Sequence, residues 1–501
     1  MEPGQRSYLL PLITLSILYL FGMPLWALTV VTVWYLALLW LEDVGKLDQY
    51  EISRVLGVVL MVRTKQGQGV LERVSRNRVF WRGFGEFSIW LCLLIMVGVV
   101  ALLFASAITT AMSPPEEYLP ASDLLLIPGV TSFVPFWWPV LALIFALVIH
   151  EYSHGIQARA HGMRVRSFGL LLAGPIPIGA FAEPQHHEMV RAPLRERMRL
   201  YAAGPSINII AAYLALLLLS AAATGMVASH SGVYATAIIA DEGADEGGLM
   251  PYEIIIRIDG VRISDRSDFS EQMDLLSAGD EVTLTKLSHP NSDGLRTVRD
   301  ISVTLGDRYQ YHIDGCGDDP KCVESRVELM EILDIEPGDA FLGVSGLRST
   351  SSTVDMYSSI VSSDRGLLEN ILVTGELPLG MIVIPIAYDG QTMLLDEREM
   401  MRAGDGVVPE SLGTEGMLML FDFLFWMVWI NFLLGFANLI PMIPFDGGHI
   451  VKDGVHSVLS RLAKGSNPLQ IESIAGRISS MSSFVILFIV MLPIILPRLV
   501  V

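Results

Sequence analysis

Charged residues and cysteines are both scarce in this chain. Asp, Glu, Lys and Arg make up 17% of the 501 residues, whereas hydrophobic residues make up 52%. A soluble globular domain carries about 25% charged residues, so this composition excludes a wholly soluble protein. Three cysteines exclude a disulfide framework, although Cys316 and Cys322 could close a small disulfide loop. The chain is therefore expected to be a membrane protein with substantial soluble parts.

Long apolar runs predict a multi-pass α-helical membrane protein with about seven spans. The first run, residues 8–41, is broken at Gly22-Met23-Pro24 and is long enough for two short helices. It exceeds the core of a signal peptide and lacks a clear small-residue cleavage site, so we expect a retained hairpin. The further predicted spans are residues 89–112, 136–156, 200–223, 417–437 and 484–496.

The distribution of charge predicts how these spans cross the membrane. Loop 42–87 carries eight Lys and Arg residues and loop 157–199 carries seven, so both loops should be cytoplasmic. Residues 226–415 carry 35 acidic and 13 basic residues, a net charge of −22, whereas the rest of the chain has a net charge of +3. This acidic insertion is therefore expected on the outside.

The pentad His150-Glu151-Tyr152-Ser153-His154 follows fourteen unbroken apolar or proline residues. On a helix, residues four apart lie on one face, so both imidazoles can bind one zinc ion. Glu151 lies one step round the helix and can reach a water molecule on that ion. Ionisable groups at the end of a hydrophobic span are costly and by default mark function. The pentad therefore predicts peptide hydrolysis near the cytoplasmic end of its span.

A catalytic zinc takes three protein ligands and keeps an open position for water, so the pentad needs a partner. The best candidate is Asp446, which follows an apolar span broken at Pro441 and Pro444 and precedes two glycines. Irregular backbone at this depth is tolerated only where it packs in protein or lines a cavity. Asp446 could instead cap a cytoplasmic helix. Its depth, which matches that of the pentad, favours a metal ligand.

The pentad and a later NxxPxxPFDGG motif that contains Asp446 together resemble the site-2 protease family of intramembrane zinc metalloproteases. A further family-like element, GPSIN, ends at Asn208 and opens the intervening span. The resemblance covers roughly residues 136–223 and 417–496. It implies that His150, His154 and Asp446 bind Zn²⁺ and that Glu151 is the catalytic base. It also implies substrates that are membrane proteins with a transmembrane helix.

Residues 168–184 are apolar but too rich in Gly and Pro for a helix, so they are a candidate re-entrant hairpin. An exposed strand edge beside the zinc could capture an unwound substrate segment by strand addition. The alternative is an amphipathic loop packed on the spans. Asn208 and Asn438 could hydrogen-bond the substrate backbone or the oxyanion, or could only tie helices together.

The insertion begins with alternating strand-like runs, and a helix-like stretch, residues 268–276, follows the turn at Asp259-Gly260. Over residues 232–306 this order resembles a PDZ domain of the permuted prokaryotic type. The usual Gly-Asp before the third strand is replaced by Tyr252-Glu253, and no clear carboxylate-binding loop is visible. The resemblance implies an inserted extracytoplasmic α+β domain, a prokaryotic cell membrane, and a peptide or substrate ectodomain as its partner.

These patterns divide the chain into five predicted regions. They are an N-terminal hairpin and basic loop (1–87), a membrane core with the pentad and GPSIN (88–225), the PDZ-like domain with its Cys-containing extension (226–345), an extracytoplasmic or membrane-proximal linker (346–415), and a membrane core with NxxPxxPFDGG (416–501). The lipid bilayer is an expected partner, and nucleic acid is not.

Two other functions remain open from the sequence. A membrane zincin could act on substrates at the cytosolic side, but such enzymes supply a glutamate ligand from a following helix. The nearby candidates Glu183, Glu188 and Glu196 lie in a proline-containing loop or a basic stretch. A catalytically idle receptor could instead use its external domain to bind extended peptides. A cleavage assay with a Glu151 variant separates these functions.

Overall fold

The protein is described from a computed structural model. The structure describes residues 9–20, 23–49, 52–55, 59–64, 67–115, 123, 126–174, 176–291, 294–317, 319–362, 367–463 and 467–500.

Long helices alternate with short strands along the first half of the chain. In order, the elements are α1 (Leu9–Leu20), α2 (Leu25–Asp43), α3 (Lys46–Gln49), β1 (Ile52–Val55), β2 (Val59–Thr64), α4 (Gln68–Val74), α5 (Arg78–Met112), α6 (Trp137–Ala160), β3 (Val165–Ala173), β4 (Ile176–Pro184), α7 (His186–Arg191) and α8 (Leu194–Ala223).

Short strands and helices follow, before three long helices complete the chain. These elements are β5 (Met226–Ala228), β6 (Val233–Tyr234), β7 (Ala237–Ile238), α9 (Gly243–Glu246), β8 (Ile254–Ile258), β9 (Val261–Arg262), α10 (Arg266–Met273), β10 (Glu281–Leu287), β11 (Val298–Thr304), β12 (Gly306–Asp307), α11 (Arg308–Asp314), α12 (Pro320–Ile332), β13 (Ala340–Phe341), β14 (Val344–Ser345), β15 (Arg348–Ser349), α13 (Ser352–Ser362), α14 (Leu367–Met381), α15 (Ile384–Ala387), α16 (Leu395–Glu399), β16 (Met401–Ala403), α17 (Val407–Asn438), α18 (Asp446–Leu462) and α19 (Pro468–Val500).

Among the described residues, six helices are long and apolar enough to cross a membrane: α2, α5, α6, α8, α17 and α19. The prediction of a multi-pass helical membrane protein is therefore confirmed, but its count of about seven spans is not. The difference lies in the N-terminal tract. There α1 has 12 residues, which is well short of the roughly 20 that a perpendicular span needs.

The chain divides into two compact units. Unit 1 comprises residues 1–218, 371–392 and 422–501, and unit 2 comprises residues 219–370 and 393–421. The predicted linker 346–415 is therefore not one region, because its residues 371–392 belong to the unit that holds most of the apolar helices. Ile382, from that segment, packs against Ile209 of α8 and Phe432 of α17.

Small buried residues bring α6 and α8 of unit 1 close together. Ala142 and Ala146 on α6 and Ala202 and Ala203 on α8 are fully buried. Lipid is as apolar as a leucine side chain, so helices in a membrane associate through close packing and small residues rather than through hydrophobic burial. The Ser153 hydroxyl donates to the Ala203 carbonyl oxygen at 3.0 Å. The pentad of α6 therefore lies directly against α8.

The hairpin predicted at residues 168–184 is present as β3 and β4, which pair antiparallel, whereas its re-entrant placement in the membrane stays a prediction. The sequence did not predict that two strands from the basic loop 42–87 join it. In the described part of the chain the sheet has the order β1-β2-β3-β4. Thr64 at the end of β2 pairs with Phe168 of β3, about a hundred residues later. Consequently β4 lies at one edge of this sheet.

Unit 2 contains a mixed region built around a sheet of order β11-β10-β8-β6-β15, with β9 paired to β8. Buried side chains such as Ile255, Leu284 and Val303 fill its core. The sheet extends beyond residues 232–306, over which the sequence resembles a PDZ domain, and beyond the predicted domain limit of residue 345, because β15 pairs with β6. Cys316 and Cys322 are disulfide-bonded, as the sequence allowed, between α11 and α12.

Candidate metal centre

Helix α6 places the two histidines of the pentad on its buried face. His150 and His154 are 4% and 8% exposed, and their ring centroids lie 4.8 Å apart. This is the consequence of their spacing, since residues four apart lie one above the other on a helix. The two Nε2 atoms therefore face a common point.

The carboxylate of Asp446 reaches the same point from the start of α18. Its Oδ2 atom lies 3.3 Å from Nε2 of His150 and 3.3 Å from Nε2 of His154. These are the three residues, in the described part of the chain, whose ligand atoms cluster closely enough to hold a metal ion. No side chain caps the start of α18. The carboxylate is directed at the imidazoles.

Two glycines after Asp446 allow this approach. A Cβ atom on Gly447 would lie 2.7 Å from the carbonyl oxygens of Leu439 and Ile440, and one on Gly448 would lie 2.5 Å from the Ile443 amide nitrogen. Cβ atoms do not come this close to backbone. The irregular segment between α17 and α18 therefore packs directly on the first turn of α18, which positions the carboxylate.

The outer nitrogen of each imidazole is held by a hydrogen bond. His150 Nδ1 lies 2.6 Å from Oδ1 of Asn208, and His154 Nδ1 lies 2.7 Å from the carbonyl oxygen of Leu200. Both partner oxygens are acceptors, so each Nδ1 carries the proton and each Nε2 presents its lone pair inward. This tautomer is the one that a metal ligand requires.

Asn208 is fully buried, and both protons of its side-chain amide are used within the protein. Its Nδ2 atom donates to the Ala146 carbonyl oxygen and to Oδ1 of Asn431, both at 3.0 Å. It therefore ties α6, α8 and α17 together, which is one of the two roles that the sequence left open. Asn438 donates to the Leu434 carbonyl oxygen of its own helix at 3.0 Å.

The space in front of the histidines exists because residue 204 is glycine. A Cβ atom on Gly204 would lie 2.5 Å from Nε2 of His154 and 2.6 Å from Nε2 of His150. Helix α8 thus leaves a space in front of the two Nε2 lone pairs, and any side chain at position 204 would fill that space. Two neutral imidazoles and one carboxylate suit Zn²⁺, which takes N and O ligands at about 2.0–2.2 Å. The donor set and this space fit that ion.

Glu151 lies beside this centre but is not part of the cluster. Its Oε2 atom accepts a hydrogen bond from the Ala182 amide of β4 at 2.7 Å. The sequence placed Glu151 one step round the helix from the histidines, and the structure adds that it faces the edge strand of the four-stranded sheet. The pentad thus connects the candidate metal centre with that sheet.

The ion pair between Arg197 and Asp453 was not predicted from the sequence. Nε and Nη2 of Arg197 donate to the two carboxylate oxygens of Asp453 at 3.0 and 2.6 Å, and both side chains are largely buried. Burial raises the pKa of Asp453, and Arg197 opposes that shift. The pair joins α8 to α18 two turns beyond Asp446. The only signal for this pair in the sequence is that a basic and an acidic residue lie at similar depths in two helices.

His449, three residues after Asp446, lies near the centre but is not one of the three clustered residues. Its ring stacks on Tyr201 at a centroid distance of 4.8 Å. Burial lowers the pKa of His449, although Asp446 and Asp453 act in the opposite direction.

Comparison with known proteins identifies a family that matches this chain. The model of peptidase family M50 matches residues 138–486 of the chain. An uncharacterised protein of Methanocaldococcus jannaschii is 27% identical over 238 residues, which cover 47% of this chain and 61% of that protein. A protein of Xylella fastidiosa (strain 9a5c) named "Putative zinc metalloprotease" is 24% identical over 275 residues, covering 46% of this chain and 58% of that protein. The chain thus spans about three fifths of the length of these relatives.

Proposed function

The chain belongs to peptidase family M50, the site-2 protease family, and we propose on that premise that it is a zinc metalloendopeptidase that cleaves membrane proteins within or next to a transmembrane segment. The observation that carries the proposal is the convergence of two lone pairs and one carboxylate at 3.3 Å under Gly204. This centre lies among helices that are long and apolar enough to span a membrane.

Each proposed site residue has one task. His150, His154 and Asp446 would hold Zn²⁺, which supplies a water of lowered pKa and polarises the peptide carbonyl. Glu151 would take a proton from the attacking water and return it to the leaving amine nitrogen. Asn208 and the Leu200 carbonyl would keep the histidine rings in the ligand tautomer.

The edge strand β4 supports a mode of substrate capture. A transmembrane substrate hides its peptide groups in helical hydrogen bonds, so cleavage requires a short unwound segment. Strand addition to an exposed edge satisfies the backbone of such a segment. Because the Ala182 amide of β4 already contacts Glu151, a strand added there would pass beside the proposed base.

We assign substrate selection to the insertion, as the PDZ-like pattern implies. A groove of about 940 Å³ runs between α10 and the segment that follows β13, with Phe269 on the helix side and Leu342 and Val344 on the other. Two basic residues, Arg266 and Arg308, also line it, together with four acidic ones, Asp274, Asp334, Glu336 and Asp339, so the charged part of the lining is acidic on balance. An ectodomain too bulky to be accommodated would be excluded by the same unit.

The test is a cleavage assay with the Glu151→Gln variant and a single-span model substrate in liposomes. Glu151 is not a proposed ligand, so the variant should keep about one zinc per chain. Its cleavage rate should fall by at least the roughly 10²- to 10⁴-fold typical of a lost general base. The control Glu188→Gln changes a half-buried carboxylate that pairs with the exposed side chain of Arg164 and should cleave normally.

Near wild-type cleavage by Glu151→Gln would reject the mechanism. No cleavage by either the wild-type or the variant, together with bound peptide, would favour a receptor. Cleavage of soluble substrates alone would favour a membrane zincin that acts at the cytosolic side.

A further inference from the structure

An apolar cavity of about 220 Å³ lies between α6 and the four-stranded sheet, next to the candidate metal centre. Val62 of β2 and Leu170 of β3 line it on the sheet side, and Val148, Glu151 and Tyr152 line it on the helix side. It is open rather than enclosed. Glu151 contributes the carboxylate of this otherwise mainly apolar lining.

The walls of the cavity are held in place. Tyr152 stacks on Phe168 with ring centroids 4.7 Å apart and an interplanar angle of 9°. The Tyr152 hydroxyl donates to the Gly67 carbonyl oxygen at 3.0 Å, so its polar end is satisfied away from the metal centre. Phe168 is buried in a cluster with Leu71 and Ile156. Such a preformed wall can discriminate between occupants by their size.

The chemistry of the lining restricts the occupant to an apolar group. Most of the lining side chains are apolar, and Thr64, Glu151 and Tyr152 supply its polar side-chain groups. An engineered apolar cavity of about 150 Å³ in T4 lysozyme holds benzene, so about 220 Å³ suffices for a branched or aromatic side chain. The proposed base, Glu151, lines this cavity, so a substrate that reaches its carboxylate also lies at the cavity. The occupant is therefore a side chain of that substrate.

We propose that this cavity is the pocket for the substrate residue that adjoins the scissile bond, and that Val62 and Leu170 determine which side chain it accepts. The proposal rests on the proposed function. Its geometric basis is that the cavity and the proposed base share Glu151: a side chain seated in the cavity holds its own peptide group next to that carboxylate. The pocket should prefer Leu, Met or Phe to Ala, Gly or Ser.

The test uses the full-length zinc-loaded protein in detergent micelles and an equimolar mixture of synthetic peptides that are randomised at the central positions. Mass spectrometry identifies the residues on each side of every cut. The wild-type should favour Leu, Met or Phe over Ala by about tenfold or more at one of the two flanking positions, since one methylene in an apolar pocket changes selectivity by about 10- to 200-fold.

Two variants should move this preference in opposite directions. Val62→Phe fills the cavity and should lower the ratio of cuts at Phe to cuts at Ala by about tenfold. Leu170→Ala enlarges it and should raise the ratio of cuts at Trp or Phe to cuts at Leu. The matched control is Leu171→Ala, one residue along β3, which does not line the cavity and should keep the wild-type ratios. The zinc content of each variant reports whether the centre is intact.

Unchanged ratios in both cavity variants, with zinc retained, would overturn the pocket assignment and leave the proposed function standing. If Val62→Phe loses zinc, Leu170→Ala decides alone. If the wild-type makes no cut that Glu151→Gln abolishes, the proposed function fails, and the pocket assignment fails with it.

Discussion

Oδ1 of Asn208 lies 2.6 Å from Nδ1 of His150, and this contact decides which nitrogen of His150 faces the metal centre. Asn208→Ala removes the acceptor, so the ring can turn or change tautomer. A group that hydrogen-bonds a metal-binding histidine typically contributes about 10- to 100-fold to metal affinity. We expect that loss in zinc affinity, measured by titration with a competing chelator.

Asn438→Ala is the matched control, because Asn438 bonds only a carbonyl of its own helix in the described structure. It should leave zinc affinity within about twofold of the wild-type, a much smaller change than the loss expected for Asn208→Ala. Equal losses in the two variants would contradict the assigned role of Asn208.

Gly204→Ala should abolish zinc binding without unfolding the helices. Its Cβ atom would lie 2.5 Å from Nε2 of His154 and 2.6 Å from Nε2 of His150, in the space that a metal ion needs. Alanine is otherwise favourable in a helix relative to glycine. Zinc content measured by atomic absorption, and helix content measured by circular dichroism, check the two parts of this prediction.

Gly98→Ala makes the same change in α5, where a Cβ atom would meet nothing within 4 Å. It should retain zinc. A Gly204→Ala protein that retains a full complement of zinc would show that the metal does not lie under α8.

Asp453→Ala should destabilise unit 1 strongly, because it leaves the Arg197 guanidinium largely buried without its carboxylate. Breaking a buried pair by removing one partner typically costs about 3–5 kcal/mol. Thermal unfolding of the detergent-solubilised protein measures the effect. The control is Glu188→Ala, which removes the partner of an Arg164 side chain that is 64% exposed and should change the unfolding temperature little, because solvent screens such a pair. Similar losses in the two variants would argue against a stabilising role for the buried pair.

The charge distribution predicts that loop 42–87 is cytoplasmic and that the insertion is outside. Single cysteines at Arg76 and Arg299, both exposed, test this in intact cells with a membrane-impermeant thiol reagent. We expect labelling of Arg299→Cys and none of Arg76→Cys until the cells are opened. Native background should be low, because Cys92 is buried and Cys316 and Cys322 are disulfide-bonded. The opposite pattern would invert the proposed orientation.

Removal of the β-rich part of unit 2 should leave zinc binding intact, because the three proposed ligands belong to unit 1. The deletion should run from residue 233 to 349, not to 306, since β15 pairs with β6. A short linker suffices, because the Thr350 amide donates to the Gly232 carbonyl oxygen at 3.0 Å. We expect relaxed substrate selection with zinc retained. Loss of zinc would show that this part is structural.

That deletion also removes two partners of a buried carboxylate. Glu397 accepts from the Tyr234 hydroxyl and pairs with Arg348 at 2.6 Å. Glu397→Gln should therefore accompany the deletion, because an unpaired buried charge is costly whereas a neutral amide is less so. If the deletion variant is expressed at a higher level with Glu397→Gln than without it, the unpaired Glu397 carboxylate is what destabilises the deletion.

The metal centre was predictable from the sequence where local geometry decides it. The spacing of His150 and His154 places them on one face of any helix, and a long apolar run makes that helix a membrane span. Asp446 was recognisable because proline and glycine break an apolar span at a matching depth. These inferences need only helix periodicity and the cost of polar groups in lipid.

Only the tertiary structure decided what supports that centre. The Asn208 contact with His150 and the Arg197 contact with Asp453 join residues far apart in the chain, and no local pattern encodes which partner a buried polar group finds. The same holds for β2 beside β3, which builds the cavity next to Glu151 from two distant loops. Periodicity specifies the face that a residue occupies, whereas packing between elements selects the neighbour that this face meets.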